Sequence, residues 1–351
     1  MRMRFAIAVV VLQVGLLAYM AGEREWVLHT GRVVHFTTAP IDPHDPMRGE
    51  YARLEYDLSQ VPRELCRDLV LQWMKHPSGW RDSRHRDARV YATLQIDESG
   101  YADLVGLSDR PPASGPYLRG RVNWVSERSV NVRFGLEALF MQQGAARKLE
   151  EERREPKAGV PLATDVALSP GGLGVLQGCK WEPLGITLTL DRPPRPAPAR
   201  DGQPAPPRGL TGVTVELKNH STGDVALVLL PEDQSFRLVA EERWQPNNYR
   251  WAGGDLPRPK PLPADVVVLK PGESRKVRLD FTLPYWFVND TRAGKSHEPV
   301  AMEKLAGEWG SSFRIEYAPP SAADCAGLPN ASLIHHRRLR SRMFSAAGDV
   351  D

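Results

Sequence analysis

The sequence predicts a mainly β protein that has an N-terminal transmembrane helix, a β-rich (α+β) domain with one or two helices, and an immunoglobulin-like antiparallel β-sandwich. One uninterrupted apolar run near the N-terminus predicts the transmembrane helix. Short alternating segments between turn residues predict the strands, and 31 prolines with 29 glycines disfavour a helical bundle. A chain of 351 residues is too long for one ordinary core, which indicates two domains.

The apolar run extends from Phe5 to Ala21, carries no charge, and has Gln13 as its only strongly polar side chain. As a helix this run rises about 25 Å, which is enough to cross a hydrocarbon core. Arg2 and Arg4 precede it, so the basic end should stay in the cytoplasm. We therefore expect a single-pass protein of the inner (cytoplasmic) membrane, with its N-terminus in the cytoplasm and its bulk in the periplasm.

Two other interpretations of the apolar run stay open. A cleaved signal peptide would export the same remainder, but the run is long and residues 19–21 make a poor small-x-small cleavage site. A buried core helix is disfavoured because the run is apolar on every side.

Alternation of apolar and polar residues predicts strands in a first domain over residues 23–178, and turn residues predict hairpins. The expected strands are Glu25–Phe36 and Tyr51–Leu58, and the expected hairpins join Arg89–Ile96 to Tyr101–Leu107, Leu118–Val125 to Val130–Phe134, and Val160–Leu168 to Leu173–Leu176. Apolar residues at helical spacing predict one helix over Pro62–Met74. A second helix is expected over Leu136–Arg154, with a solvated, charged end.

A second domain is predicted over residues 179–326, because its short strands and their turns have a spacing typical of an immunoglobulin-like sandwich. The expected strands are Leu184–Leu190, Val213–Asn219, Val225–Leu230, Phe236–Glu241, Val266–Lys270, Arg275–Phe281 and Ser312–Tyr317. The proline-rich segment 191–208 is expected to be an extended surface loop. The basic segment 327–351 is expected to be a disordered tail, whose arginines could contact anionic lipid headgroups or wall polymer.

Charge and cysteine content narrow the class of protein. A net charge of +3 argues against a nucleic-acid binder, which would concentrate basic residues on one face. The three cysteines, Cys66, Cys179 and Cys325, form no CxxC pair, which excludes a zinc ribbon or a thioredoxin-type motif. Cys179 and Cys325 are a candidate disulfide in an oxidising compartment, and the alternative is three buried thiols that act as small hydrophobes.

Common catalytic and cofactor signatures are missing from the sequence. It contains no GxSxG, HExxH, GxxxxGKS/T, GxGxxG or EF-hand pattern. We therefore predict no catalytic residue, no metal ligand and no cofactor.

The run RGEYARLEY, from Arg48 to Tyr56, is the most specific motif in the chain. It resembles the defining motif of the GDYXXLXY family of uncharacterised bacterial membrane-anchored envelope proteins. Gly49, Tyr51, Leu54 and Tyr56 match the named positions, and Glu50 stands where the family has aspartate. The resemblance covers about residues 1–178 and implies an anchor and an envelope location, but it implies no known activity.

Two interpretations of this candidate functional loop compete. In the first, Asp42 and Asp45 cap turns, Arg48 neutralises them, and the tyrosines pack. In the second, Asp42, Asp45 and Glu50, together with His44, bind a cation or a polar group of a partner. Few ligands and nearby arginines disfavour a metal ion.

We expect a non-enzymatic binding or accessory module for an envelope partner, and no nucleic-acid partner. The partner could be a multi-span membrane protein or another envelope protein, in addition to the inner membrane itself. Trp244, Tyr249 and Trp251 could form an exposed contact patch, although such aromatics more often cover the edge of a sandwich. The alternative is a carboxylate-dependent hydrolase or modifier of an envelope polymer that uses the carboxylates between Asp42 and Glu50.

Overall fold

The computed structural model describes residues 2–41, 51–79, 81–140, 148–149, 151–152, 159–191, 209–241, 247–292, 294, 298–305, 308 and 310–347. The chain divides into two compact units, which are described separately below. The first unit comprises residues 1–150 and 162–181, and the second comprises residues 151–161 and 182–351.

The N-terminal helix α1 (Arg2–Thr30) confirms the predicted apolar helix and extends beyond it. Its segment Met3–Thr30 is long and apolar enough to cross a membrane, a property that a signal sequence shares. The strand predicted from Glu25 is wrong in its first six residues, which belong to α1. The helix continues because Val27 packs into the first unit, and it ends where Gly31 meets the first strand.

Ten strands of the first unit form two antiparallel five-stranded sheets. They are β1 (Arg32–Ile41), β2 (Tyr51–Tyr56), β3 (Gln60–Pro62), β4 (Arg89–Ile96), β5 (Ala102–Ser108), β6 (Tyr117–Val125), β7 (Ser129–Arg133), β8 (Ala138–Phe140), β9 (Leu162–Leu168) and β10 (Gly174–Trp181). The first sheet has the order β10-β9-β1-β2-β8, and the second has the order β3-β7-β6-β4-β5. The three predicted hairpins are confirmed as β4–β5, β6–β7 and β9–β10.

The two sheets share one hydrophobic core, because alternate side chains of each strand point to the same interior. Phe36 and Leu54 come from the first sheet, whereas Val90 and Val122 come from the second, and all four belong to one buried cluster. The sheets therefore pack face to face as two layers of one domain.

Both predicted helices of this unit are shorter than expected or displaced. Helix α2 covers only Asp68–Trp73, since residues 60–62 instead pair with β7 as strand β3. The prediction over Leu136–Arg154 is wrong at its start, where β8 pairs with β2, although residues 148–149 and 151–152 are helical. Pairing with an open strand edge outweighs the helical spacing in both places.

The second unit is antiparallel β structure around its own core. Its strands are β11 (Leu184–Asp191), β12 (Gly212–Asn219), β13 (Val225–Val228), β14 (Phe236–Ala240), β15 (Tyr249–Trp251), β16 (Val266–Leu269), β17 (Ser274–Asp280), β18 (Val288–Asp290), β19 (Ser312–Tyr317), β20 (Leu339–Arg340) and β21 (Phe344–Ser345). β11, β12 and β17 form one sheet, and β14 pairs with β19 in another. Every strand predicted there is present, and the immunoglobulin-like arrangement stays a prediction.

The predicted disordered tail is wrong for the described residues up to 347. Strands β20 and β21 both pair with β19, and a short helix, α3 (Ala322–Cys325), precedes them. Ile334, Leu339 and Phe344 are buried. Apolar residues interspersed among the arginines give this segment enough surface to bury, so it folds onto the sheet. Residues 192–208 lie outside the described residues, so the extended proline-rich loop stays a prediction.

Candidate functional site

Strand β2 contains the second half of the RGEYARLEY motif, and its described side chains belong to the core. Leu54 and Tyr56 are each 1% exposed. The Tyr56 ring packs edge-on against Phe36, with 6.2 Å between ring centroids, and its hydroxyl donates to the Leu136 carbonyl oxygen at 3.0 Å. Burial raises the pKa of Tyr56, which keeps the phenol neutral. These two motif positions therefore serve packing, as the first interpretation requires.

The other residues predicted for this loop lie outside the described part of the chain. They are Asp42, His44, Asp45, Arg48, Gly49 and Glu50, together with the side chain of Tyr51. The last residue of β1, Ile41, lies at the end of the strand away from α1, since β1 is ten residues long, about 30 Å. The roles of these carboxylates in turn capping, in cation binding or in hydrolysis stay predictions.

A polar cluster that the sequence did not predict lies near the C-terminal end of α1. His35 on β1 and Asp165 on β9 are register partners, and His35 Nδ1 lies 2.6 Å from Asp165 Oδ1. Lys180 Nζ on β10 lies 3.7 Å from the same oxygen, and the Tyr101 ring lies 5.0 Å from the imidazole. The imidazole is thus held through Nδ1 by the Asp165 carboxylate.

Only strand register assembles this cluster, because 130 residues separate His35 from Asp165. No local spacing in the sequence indicates their proximity. The same register places Val33 opposite Ala167, two residues from Asp165, which brings the cluster beside the end of α1.

The junction of α1 with the β unit is a packed contact. Val27 is buried, and Gln177 Nε2 donates to the Leu28 carbonyl oxygen at 2.9 Å. Gly31 N donates to the Val27 carbonyl oxygen at 2.8 Å. A Cβ at Gly31 would lie 2.6 Å from that oxygen and 3.1 Å from Leu168 N, so only glycine fits. The apolar helix therefore continues into the folded unit without a break.

A comparison with protein-family models finds the GDYXXLXY protein family over residues 13–178. This part of the chain belongs to the GDYXXLXY family. The matched segment begins inside α1 and ends in β10, so it contains both sheets of the first unit. No curated protein and no solved structure matches the chain. The predicted resemblance is confirmed, and it carries no activity with it.

The GDYXXLXY domain and the second unit hold free thiols. Cys66, Cys179 and Cys325 are free thiols in the structure. Cys179 and Cys325 belong to different units, and the disulfide between them stays a prediction. Cys179 packs against the core of the GDYXXLXY domain, whereas Cys325 belongs to a separate buried cluster in the second unit. Burial raises the pKa of Cys66 to about 12, which makes this thiol a poor nucleophile.

In the described part of the chain, no three His, Cys, Asp or Glu side chains converge as metal ligands.

The predicted aromatic patch of the second unit is wrong at Tyr249, which is buried. Its hydroxyl donates to Glu308 Oε2 at 3.2 Å and accepts from Arg292 Nη2 at 2.9 Å. Trp251 packs against the core and donates from Nε1 to the Tyr285 carbonyl oxygen at 2.5 Å. Trp244 lies outside the described residues. Tyr249 and Trp251 therefore stabilise the second unit and do not form an exposed contact surface.

The basic C-terminal segment is held by buried glutamates. Glu316 on β19 lies 2.8 Å from Arg340 Nε and 3.9 Å from Arg338 Nη1. Arg337 pairs with Glu182, which is also buried. Arg337, Arg338 and Arg340 are therefore each paired with a buried glutamate of the second unit.

Proposed function

We propose that the protein is anchored in the cytoplasmic membrane by α1, with its N-terminus in the cytoplasm and both β units in the periplasm. It acts there as a non-enzymatic binding or accessory module for an envelope partner. The observation that carries this proposal is that α1 is apolar and exposed all round along the segment where it does not touch the GDYXXLXY domain.

The apolar run of α1 is far more stable in a bilayer than in water. Leu12 and Leu17 are 72% and 65% exposed, and most side chains of the run share this exposure. Each large apolar side chain left in water costs about 1.5–3 kcal/mol, which gives tens of kcal/mol for the whole run. A bilayer removes this cost, and it also satisfies the backbone of a helix without further partners.

Retention of the helix is favoured over cleavage by its junction with the domain. The helix has no break between the apolar run and Val27, whose side chain packs into the domain. A signal peptide would instead end at a small-residue cleavage site, which residues 19–21 provide poorly. Arg2 and Arg4 at the start of α1 support a cytoplasmic N-terminus.

A binding role is favoured over catalysis by the motif itself. Its described positions Leu54 and Tyr56 pack in the core, so the motif contributes to the fold of a domain that α1 holds near the bilayer. The His35–Asp165–Lys180 cluster adds a partly exposed polar surface beside the foot of the helix. A domain held in this way is suited to contact a neighbour in the same membrane.

The test combines fractionation, intact mass and a topology reporter on the full chain. We expect the full-length mass in the membrane fraction after alkaline and high-salt washes. A C-terminal alkaline phosphatase fusion should be active, whereas a fluorescent protein that matures only in the cytosol should stay dark. A matched variant, Leu12→Arg with Val14→Arg, should release the protein from the membrane because charges at mid-span are costly. A product that lacks residues 1–21, or a reporter active only in the cytosol, would contradict the proposal.

A further inference from the structure

Gln13 lies at the midpoint of the apolar run, eight residues from each end. Its side chain is exposed on α1 and has no hydrogen-bond partner within the described part of the chain. In a bilayer this position would be near the centre of the hydrocarbon. An amide without a partner is unfavourable there, because lipid tails offer neither donor nor acceptor. A hydrogen-bonding partner from outside the helix would remove this cost.

The helical repeat relates Gln13 to the junction with the domain. Gln13 and Gly31 are 18 residues apart, which equals five turns at 3.6 residues per turn. The Gln13 side chain therefore projects from the same side of α1 on which Gly31 and Val27 contact β9 and its surroundings. The GDYXXLXY domain lies on this side, above the Gln13 face.

The Gln13 face has the residue spacing of a helix-packing seam. Its members alternate by three and four residues, namely Ala6, Val9, Gln13, Leu16 and Met20. Small and aliphatic side chains at this spacing allow close packing of a second helix, and a central amide adds a hydrogen bond across the seam.

We infer that the Gln13 face packs against a helix of another membrane-spanning protein, which offers a hydrogen-bonding side chain at the same depth. The GDYXXLXY domain then lies over the periplasmic end of that helix. This inference rests on the proposed function, because it requires α1 to stay in the membrane with the domain outside.

A second copy of this chain does not fit the same seam. Two parallel helices in contact lie about 8–10 Å apart. In a two-fold dimer through the Gln13 face, each domain would need the volume directly above both helices. A unit of this size has a radius of gyration of roughly 15 Å, so two such units cannot share that volume. The partner must therefore leave this space free for the domain.

Photo-crosslinking from a matched pair of positions tests the inference in native membranes. A photo-reactive amino acid replaces Val9 on the Gln13 face or Val11, two residues further and about 200° around the helix. We expect the Val9 position to give a discrete adduct, identified by mass spectrometry as the spanning helix of a different protein with a polar side chain at mid-membrane. The Val11 position should give no such adduct.

Variants at Gln13 provide the second readout. Gln13→Leu should lower the yield of the Val9 adduct about fivefold, because it removes an interhelical hydrogen bond. Gln13→Asn, which keeps the amide, should retain most of that yield. Equal adducts from both faces, an adduct with a second copy, or a yield unaffected by Gln13→Leu would overturn the inference. Loss of the protein from the membrane fraction would instead contradict the proposed function.

Discussion

Two buried carboxylates, one in each unit, are paired in different ways. In the GDYXXLXY domain, Asp82 is satisfied within its own turn by Arg84 and the Ser78 backbone, which lowers its pKa. In the second unit, Glu316 reaches Arg340, 24 residues further along the chain. A charge with a local partner needs no other segment, whereas a charge with a remote partner orders the segment that supplies it. The remote pair, together with the burial of Ile334, Leu339 and Phe344, fixes the basic C-terminal segment up to residue 347.

The largest loss of stability should follow from removing the charge of Glu316, whose arginine partners are remote in the chain. Glu316→Gln removes the charge that Arg338 and Arg340 face, and it should destabilise the second unit by about 3 kcal/mol. Hydrogen exchange of peptides that contain β20 measures this loss locally. The matched control is Glu216→Gln, whose partner Lys276 is exposed, and its cost should stay below about 1 kcal/mol. Equal losses at the two positions would remove the distinction between the buried and exposed pairs.

The stability of the second unit should depend on pH through the buried His335. Burial, with a smaller contribution from the Arg337 charge, lowers the pKa of His335 to about 3. The unfolded chain binds a proton on this histidine below about pH 6.5, whereas the folded state does not. Its contribution to stability is therefore complete above pH 6.5 and falls by up to about 1.4 kcal/mol per pH unit on acidification.

Replacement of the histidine isolates this contribution. Denaturant unfolding of the native chain and of His335→Leu between pH 4 and 7 gives the difference in free energy of unfolding. This difference should shift in favour of the variant as the pH falls. A difference that is independent of pH would show that His335 has the same pKa in the folded and unfolded states, which would contradict its burial as a neutral group.

The smallest effect should come from the GDYXXLXY motif. Tyr56→Phe removes one hydrogen bond to the Leu136 carbonyl and should cost about 1 kcal/mol of stability in thermal unfolding. Tyr91→Phe, at a half-buried ring that packs against Tyr117, should cost less than half of that. If Tyr56→Phe left stability unchanged but abolished the adduct formed from Val9, the motif tyrosine would act in partner binding rather than in the core.

Local rules predicted the hairpins correctly. Between β4 and β5, Asp97 accepts from the Tyr101 backbone at 2.9 Å, and Gly100 has a φ of 86° that glycine adopts without strain. The same rules wrongly predicted a strand at Glu25 and a helix at Leu136. At both positions a tertiary contact decides whether the backbone is helical or extended. They also missed the pairing of His35 with Asp165, which only the register of β1 and β9 creates.

The sequence by itself determined the apolar helix, the turns between neighbouring strands and the family of residues 13–178, because each depends on side chains within a few positions of one another. The tertiary structure alone decided where α1 ends, since Gly31 must fit against Leu168. It also decided that residues 328–347 fold, because their apolar side chains are buried and the buried Glu316 pairs with arginines that lie far along the chain. Partners of this kind become neighbours only when the sheets close, so no local pattern encodes them.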